Sequence, residues 1–387
     1  MKRMSGKRNV SDKGQARFPV IYDGWPFVYA PASPAALHLL EILNVLPDTV
    51  RACIALPAAE TALSTAELID SKAQVSLHSE SVPDTVSGRL RWEQRVLGRM
   101  ARAQHAGLIH TTTLHPPLFG SCPVIVSPAE AAPNADNPEG GLMGRVRSAA
   151  GKGGLSAAQY VLWPEDLPVP AWKQSVQPLP PFVHETFTTR MHRPADLPEY
   201  YVLAAGPVAG AELDLLAAAW SWAFSGLGED WVLLVGDLDA KDQERMLERC
   251  HAAGIADSVR FITMGRPRER AGIMQHASAV MLAGAVTPWG DAYLQALAAA
   301  RPLAAQERAW EDARVGAAGY LNPPDDARAL GAAVLTMIIE EQVGETLREA
   351  ARQRSAGWNK GAYRARLLDI YVEAVPSAAG GLLSAGE

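Results

Sequence analysis

Short β-branched runs alternate with Ala- and Leu-rich stretches of helical period along nearly the whole chain, and this alternation restricts the fold more than any other feature. When a helix intervenes between two strands it carries the chain back across the sheet, so the strands lie parallel. A first succession places strands at Phe18 to Tyr22, Val50 to Leu56, Gln74 to Leu77, Leu108 to His110 and Val124 to Val126, with helices over Ser33 to Leu46 and Arg91 to Gln104. Ser33 can cap the first of these helices and Pro34 can occupy its first position. A second succession starts at Tyr200. Strands at Tyr201 to Ala204, Trp231 to Val235, Val259 to Thr263, Ala279 to Leu282 and Pro302 to Ala305 alternate with helices over Glu212 to Ala223, Ala240 to Ala253, Glu269 to Gln275, Ala292 to Ala300 and Ala327 to Glu341.

A chain of 387 residues exceeds what one core accommodates, so each succession is expected to be a separate Rossmann-like, doubly wound α/β domain. The expected division is a basic tail over 1–17, a first domain over 18–190, a second over 191–357, a helix over 358–375 that returns to the first domain, and a tail over 376–387. Two stretches rich in turn residues, Ala131 to Leu155 and Pro164 to Pro181, read as loop or linker.

Partner classes follow from charge. With 36 basic and 42 acidic residues the formal charge is −6, which leaves no global footprint for nucleic acid. Cys53, Cys122 and Cys250 lie far apart with no CxxC spacing, so neither a zinc site nor a disulfide framework is expected. No apolar run reaches the roughly 18 residues of a membrane span, and residues 1–17 contain no signal-peptide core. A cytoplasmic location is the expectation. Lys2, Arg3, Lys7, Arg8, Lys13 and Arg17 in the tail allow peripheral contact with anionic lipid.

Five segments of the second half occur in a recognisable order: VLLVGD (Val232 to Asp237), GIADSVRF (Gly254 to Phe261), ASAVML (Ala277 to Leu282), PLAA (Pro302 to Ala305) and GYLNPP (Gly319 to Pro324). In the first half they are joined by Ile21 to Gly24 with Pro26, by Trp92, Glu93 and Gln94, and by PPFVHETF from Pro180 to Phe187; at the far end stand Gly357, Trp358, Lys360, Tyr363, Leu367 and Tyr371. The chain resembles the retaining family 4 glycosyltransferases over roughly residues 18 to 375, specifically in the second half and suggestively in the first. The resemblance implies the GT-B fold, two Rossmann-like domains facing a cleft, with a nucleotide-sugar donor in the second domain and a glycan, lipid-linked or small-molecule acceptor in the first. It also implies transfer without a bound metal or other cofactor.

Sugar transfer from a nucleotide requires neutralisation of a developing diphosphate and orientation of the sugar. In the family, an Arg and a Lys after the first strand of the second domain supply the charge, and two Glu eight positions apart hold sugar and ribose. This chain departs from both patterns. The loop reads Gly206, Pro207, Val208, Ala209, Gly210, Ala211, Glu212, without a cation, and the two Glu positions carry Thr287 and Gln295. Gly206 and Gly210 can still offer backbone amides. Thr287 and Gln295 can bond hydroxyls, with Trp289, Gly290 and Asp291 between them. Arg266, Arg268 and Arg270, with Gly265 before them, could replace the lost cations or form a solvated patch. On the acceptor side the candidates are Ser33, His110 and His115, while Pro128 and Ala129 replace the family's His-Asp.

Two functions fit these departures: a glycosyltransferase, or an inactive relative that keeps the shell as a partner or scaffold for an active transferase. An epimerase on this fold would need paired carboxylates for proton abstraction, which are missing. A cleft lined with acid and bare of inward-pointing amides would speak against a diphosphate.

Overall fold

The computed structural model describes residues 19–31, 33–59, 69, 73–129, 141–170, 175–206, 208, 210–290 and 292–375. Asp291 and both expected tails lie outside the described residues. Two parallel sheets organise the chain. The first contains β1 (Pro19–Asp23), β2 (Arg51–Leu56), β3 (Gln74–Ser79), β4 (Leu108–Thr111), β5 (Val124–Val126), β6 (Tyr160–Pro164) and β7 (Val176–Leu179), in the order β3-β2-β1-β4-β5-β6-β7. The second contains β8 (Tyr200–Ala204), β9 (Trp231–Gly236), β10 (Val259–Ile262), β11 (Ala279–Leu282), β12 (Leu303–Gln306) and β13 (Tyr320–Asn322), in the order β10-β9-β8-β11-β12-β13. Strand order reverses beside β1 in one sheet and beside β8 in the other, the doubly wound pattern that opens a crevice at the carboxyl ends of the strands.

Helices cover both faces. The first lobe carries α1 (Trp25–Tyr29), α2 (Pro34–Val45), α3 (Val86–Arg91), a π-turn over Trp92–Val96, α4 (Leu97–Ala103) and α5 (Leu142–Ala157). The second carries α6 (Ala211–Leu227), α7 (Ala240–Ala252), α8 (Pro267–His276), α9 (Ala292–Ala298), α10 (Ala309–Val315), α11 (Ala327–Ile339) and α12 (Glu341–Ser355); α13 (Lys360–Ala374) follows. Ser33 caps α2 through an Oγ that accepts from the Ala36 amide at 3.3 Å, with Pro34 at the first helical position. Central strands such as Cys53–Leu56 and Val202–Ala204 are buried on both faces, which explains why they read as continuous apolar runs.

Two segments differ from the sequence reading. Residues 142–157, most of them within the stretch read as loop, form α5, because Gly151, Gly153 and Gly154 let the helix approach the 115–118 loop closely. A Cβ on Gly154 would collide with the Pro116 carbonyl, and one on Gly151 would strike the His115 ring. Tertiary contact therefore offsets the roughly 1 kcal/mol that each helical glycine costs. Inside the stretch from Pro164 to Pro181 lies β7, which tolerates Pro178 because it is an edge strand.

The C-terminal helix α13 packs on the first sheet. Tyr363, Leu367, Ile370, Tyr371 and Ala374 join a core built around β1, β2 and α2. Beneath them runs a buried polar chain: Tyr22 and Tyr371 hydroxyls meet at 3.1 Å, Tyr371 meets His110 Nδ1 at 2.6 Å, and Ser127 Oγ lies 2.8 Å from His110 Nε2 and 3.0 Å from His38 Nε2. Such buried polar groups are retained only when partnered, and here the partners come from five segments of the chain.

Candidate functional site

The cleft lies where α2 of the first lobe faces the carboxyl ends of β8 and β9 in the second. Two adjoining cavities occupy it, sharing Leu37 and Arg270 as walls. The larger, about 350 Å³, is bounded by Pro34, Gly206, Glu212, Asp237, Asp242 and Gly290 among others. The smaller, about 250 Å³, is more apolar and includes Leu40, Asn44, Phe187, Gly265, Arg266 and Gln295.

The turn between β8 and α6 makes the floor of the larger cavity. Gly206 holds φ +98 and Gly210 φ +57, conformations that an L side chain rarely adopts. Gly210 caps α6 without any side-chain bond, so the amino end of this 17-residue helix keeps backbone N–H groups and positive potential beside the cavity. Glu212, in the first turn of the same helix, opposes that potential. Asp237, Asp239 and Asp242 add acid to the wall. Two of these are already committed: Asp239 caps α7 by accepting from the Asp242 amide at 2.8 Å, and Asp237 accepts from the Met264 amide at 2.9 Å and from Arg270 at 2.6 Å. The wall is therefore acidic, with the uncapped amino end of α6 beside it.

Arg270 is buried and stands on the boundary of both cavities, and Arg266 is exposed on the rim of the smaller. Arg266 begins α8, where its own amide donates to Glu269 at 3.0 Å; Gly265 before it takes φ +65. Arg268 is exposed and bounds neither cavity. Gln295 is 5% exposed, borders the smaller cavity, and its Oε1 has no hydrogen-bond partner among the described residues. Leaving a buried acceptor unsatisfied costs about 1–3 kcal/mol, so this oxygen is poised to accept from a bound hydroxyl or N–H group.

Other expected residues lie elsewhere. Trp289 faces away from both cavities, into the first lobe: it is 1% exposed, stacks on His38 at 4.7 Å between ring centroids, and meets the Tyr363 ring edge-on. The ring joins that core, while its Nε1 has no hydrogen-bond partner among the described residues. Gly290 follows at φ +65, in a space so tight that an added Cβ would sit 2.9 Å from the Pro34 carbonyl. Thr287 turns its hydroxyl to the Trp289 carbonyl at 3.0 Å, which removes it as a ready sugar ligand. His110 is wholly buried in the polar chain beneath α13 and its pKa is pushed down to about 3 by burial, so it serves the core rather than an acceptor. His115 supports α5 through Gly151 and bounds neither cavity. The Ser33 hydroxyl is occupied as a helix cap.

The residues that sequence reading missed are those that join the lobes. Arg314 of α10 is fully buried, pairs with Asp166 of the first lobe through Nε (3.0 Å) and Nη2 (3.1 Å), and donates to the Thr287 carbonyl at 2.8 Å and the Pro288 carbonyl at 3.2 Å. Glu311 accepts from the Val286 amide at 2.8 Å. Trp163 of β6 enters the core of the second lobe and meets Trp310 edge-on at 5.3 Å. Each lobe thus inserts a tryptophan into the other, and the 286–290 segment is held from both sides. Of these only Trp289 is singled out along the sequence, because nothing in a linear sequence pairs residue 166 with residue 314.

Solved structures with this architecture are known. The chain aligns with HepE of Anabaena, solved with UDP-glucose, at TM-score 0.70 and 13% identity over 92% of this chain and 100% of that one. It aligns with sucrose-phosphate synthase of Thermosynechococcus elongatus at TM-score 0.67 and 15% identity (92% and 99%), and with WaaG, a glycosyltransferase of lipopolysaccharide biosynthesis, at TM-score 0.67 and 13% identity (91% and 99%).

The fold is GT-B. No protein-family model matches the chain, and no curated protein is significantly similar to it in sequence. The GT-B cleft accordingly has to be read from its own residues. Among the described residues no three His, Cys, Asp or Glu side chains are disposed to hold a metal, and no helix is long and apolar enough to cross a membrane.

Proposed function

We propose that this protein is a glycosyltransferase of the GT-B type that takes a nucleotide-linked sugar across the two cleft cavities. The nucleoside enters the smaller cavity, where Gln295 Oε1 accepts from ribose hydroxyl or base N–H. The diphosphate crosses at Arg270, with Arg266 on the rim and the amides of the Gly206–Gly210 turn behind it. The sugar then occupies the acidic end, where Glu212 and Asp242 accept from its hydroxyls. Transfer with retention, from the face of the acceptor lobe and without a bound metal, completes the proposal, with a glycan, lipid-linked or small-molecule acceptor. What supports it most is one observation: the buried, unpartnered oxygen of Gln295 borders an interlobe cavity that adjoins the glycine turn. HepE, solved with UDP-glucose on the same fold, provides the donor class to test.

The test is calorimetry with UDP-, GDP- and ADP-glucose. One of them is expected to bind at millimolar affinity or better and to raise Tm by mass action; Gln295→Ala should weaken it about tenfold, the worth of one hydrogen bond to a neutral group. Silence across the panel would remove the donor reading. It would leave the second one, a non-catalytic partner of another transferase, which is favoured by the burial of Trp289, the inward turn of Thr287 and the acidic wall. Peripheral contact with an anionic membrane belongs to the same proposal. Its support is Phe119, 81% exposed, which shares a surface hollow with Arg95, Arg99 and Arg102. Co-sedimentation with anionic vesicles, weakened by Phe119→Ser, is the expected result.

A further inference from the structure

A third and larger hollow, about 770 Å³, lies away from the cleft, where the chain crosses from the first lobe to the second and where it returns. The outward crossing contributes residues 187–191 and the return contributes residues 355–359, with the end of α9 and the turn after it as the floor. The outward crossing is fixed. Gln275 donates to the carbonyls of Thr186, Phe187 and Thr189 and accepts from the Met191 amide, while His276 Nε2 lies 3.1 Å from the Met191 carbonyl.

The charge here is opposite to that of the cleft. Arg190, Arg301 and Arg352 border the hollow, His276 stands beside them, and no carboxylate borders it among the described residues. Arg190 is exposed and has no carboxylate within salt-bridge distance among the described residues. Arg301 is half-buried; its Nε and Nη1 reach only backbone, the carbonyls of Ala299 (3.2 Å) and Ala277 (3.3 Å). Burial first, and then the neighbouring Arg348 and Arg352, lower its affinity for its proton. The nearest counter-charges, Glu345 and Glu349, are more than half exposed and already bridge Arg348 and Arg352 on α12, and exposed pairs of that kind offset little of the repulsion. The last carbonyls of α9 would oppose an anion, but Arg301 covers the one at Ala299. Trp358, half-buried, supplies an aromatic face on the return crossing.

We infer that this hollow binds a small phosphate monoester, held by Arg190, Arg301 and Arg352 with its organic part against Trp358, and that the bound anion ties the two interlobe crossings together. Arginine suits phosphate because its planar fork matches the oxygens in pairs. An anion shared by Arg301 and Arg352 also relieves the repulsion between these two guanidinium groups.

The test is titration with glucose 6-phosphate and with inorganic phosphate, each against chloride of matched ionic strength, by calorimetry and by Trp358 fluorescence. Saturable binding is expected, tighter for the ester. Arg190→Gln should weaken it at least tenfold while circular dichroism stays unchanged, since Arg190 supports no other group. Trp358→Phe should remove the fluorescence response and lower affinity for the ester more than for inorganic phosphate. Gln295→Ala, in the cleft, should change nothing, which separates failure here from failure of the donor proposal. Absence of saturable binding, binding that survives Arg190→Gln together with Arg352→Gln, or binding lost in Gln295→Ala would each overturn the inference.

Discussion

Replacing Arg314 tests how the two lobes are joined. The guanidinium is wholly inaccessible, and it makes two bonds to Asp166 in the other lobe and two to the carbonyls that open the 286–290 segment. Arg314→Met keeps much of the volume but leaves Asp166, only 10% exposed, without its partner. Breaking one side of a buried pair costs about 3–5 kcal/mol. Asp166→Ala alone leaves the arginine charge buried and should cost a similar amount. The double variant Asp166→Ala, Arg314→Met removes both charges, so its cost should fall below the sum of the singles by roughly 2–3 kcal/mol, the range for groups in direct contact. It should not return to wild type, because the Thr287 and Pro288 carbonyls stay without their donor. Urea titration followed by tryptophan fluorescence and by circular dichroism gives the cycle and shows whether the lobes still unfold together. Freed from Arg314, the 286–290 segment should also loosen its indole, which moves the Trp289 emission to the red before global unfolding. An Arg314→Met variant within 1 kcal/mol of wild type, or additive single costs, would refute a bridge that holds the lobes.

Trp289→Ala should cost about 3–5 kcal/mol, the loss on truncating a buried indole, and should raise the radius of gyration in solution scattering as the lobes part; an unchanged radius would mean that other contacts keep the cleft closed. Gly290→Ala should destabilise by about 1–2 kcal/mol from its left-handed backbone alone, and more from the clash with the Pro34 carbonyl, as a denaturant midpoint would show. For pH, His110 titrates near 6.5 when unfolded but near 3 in its buried site, so the unfolded chain binds the extra proton between those values and stability falls as pH falls. Relative to His110→Gln, the wild type should lose a little less than about 2 kcal/mol between pH 6.5 and 5, the slope approaching 1.36 kcal/mol per unit only below the unfolded value. Taking the difference cancels Glu93, whose pKa burial raises to about 7 despite Arg147 and whose effect has the opposite sign. A pH-independent difference would show that His110 is hydrated.

Much of the interlobe cleft could be read along the chain because its residues follow strands. Gly206, Gly265, Gly290 and Gln295 each come soon after or between parallel strands whose carboxyl ends share one edge, so their positions follow from strand order. The arginine after Gly265 reaches the rim for the same reason. Trp289 defeated the reading because its environment comes from α2 and α13, some 250 residues before and 70 after in the chain, and Thr287 because its hydroxyl turns to the Trp289 carbonyl. Residues 142–157 were missed because a helix with four glycines has little local reason to form; three of them, Gly151, Gly153 and Gly154, let it pack against the 115–118 loop.

By itself the sequence determined two parallel-sheet lobes, since strand and helix periods are local properties of side-chain spacing and a βαβ crossover leaves one favourable hand and one sheet order nearby. It also determined that the cations expected for a diphosphate are missing after the first strand of the second lobe. Only the tertiary structure decided which charges return to the cleft, which histidines are core, and that Trp289 and Arg314 fasten the lobes to each other. Those outcomes depend on burial and on hydrogen bonds between residues far apart in the chain, and a residue's desolvation is set by whatever packs over it rather than by its neighbours in sequence.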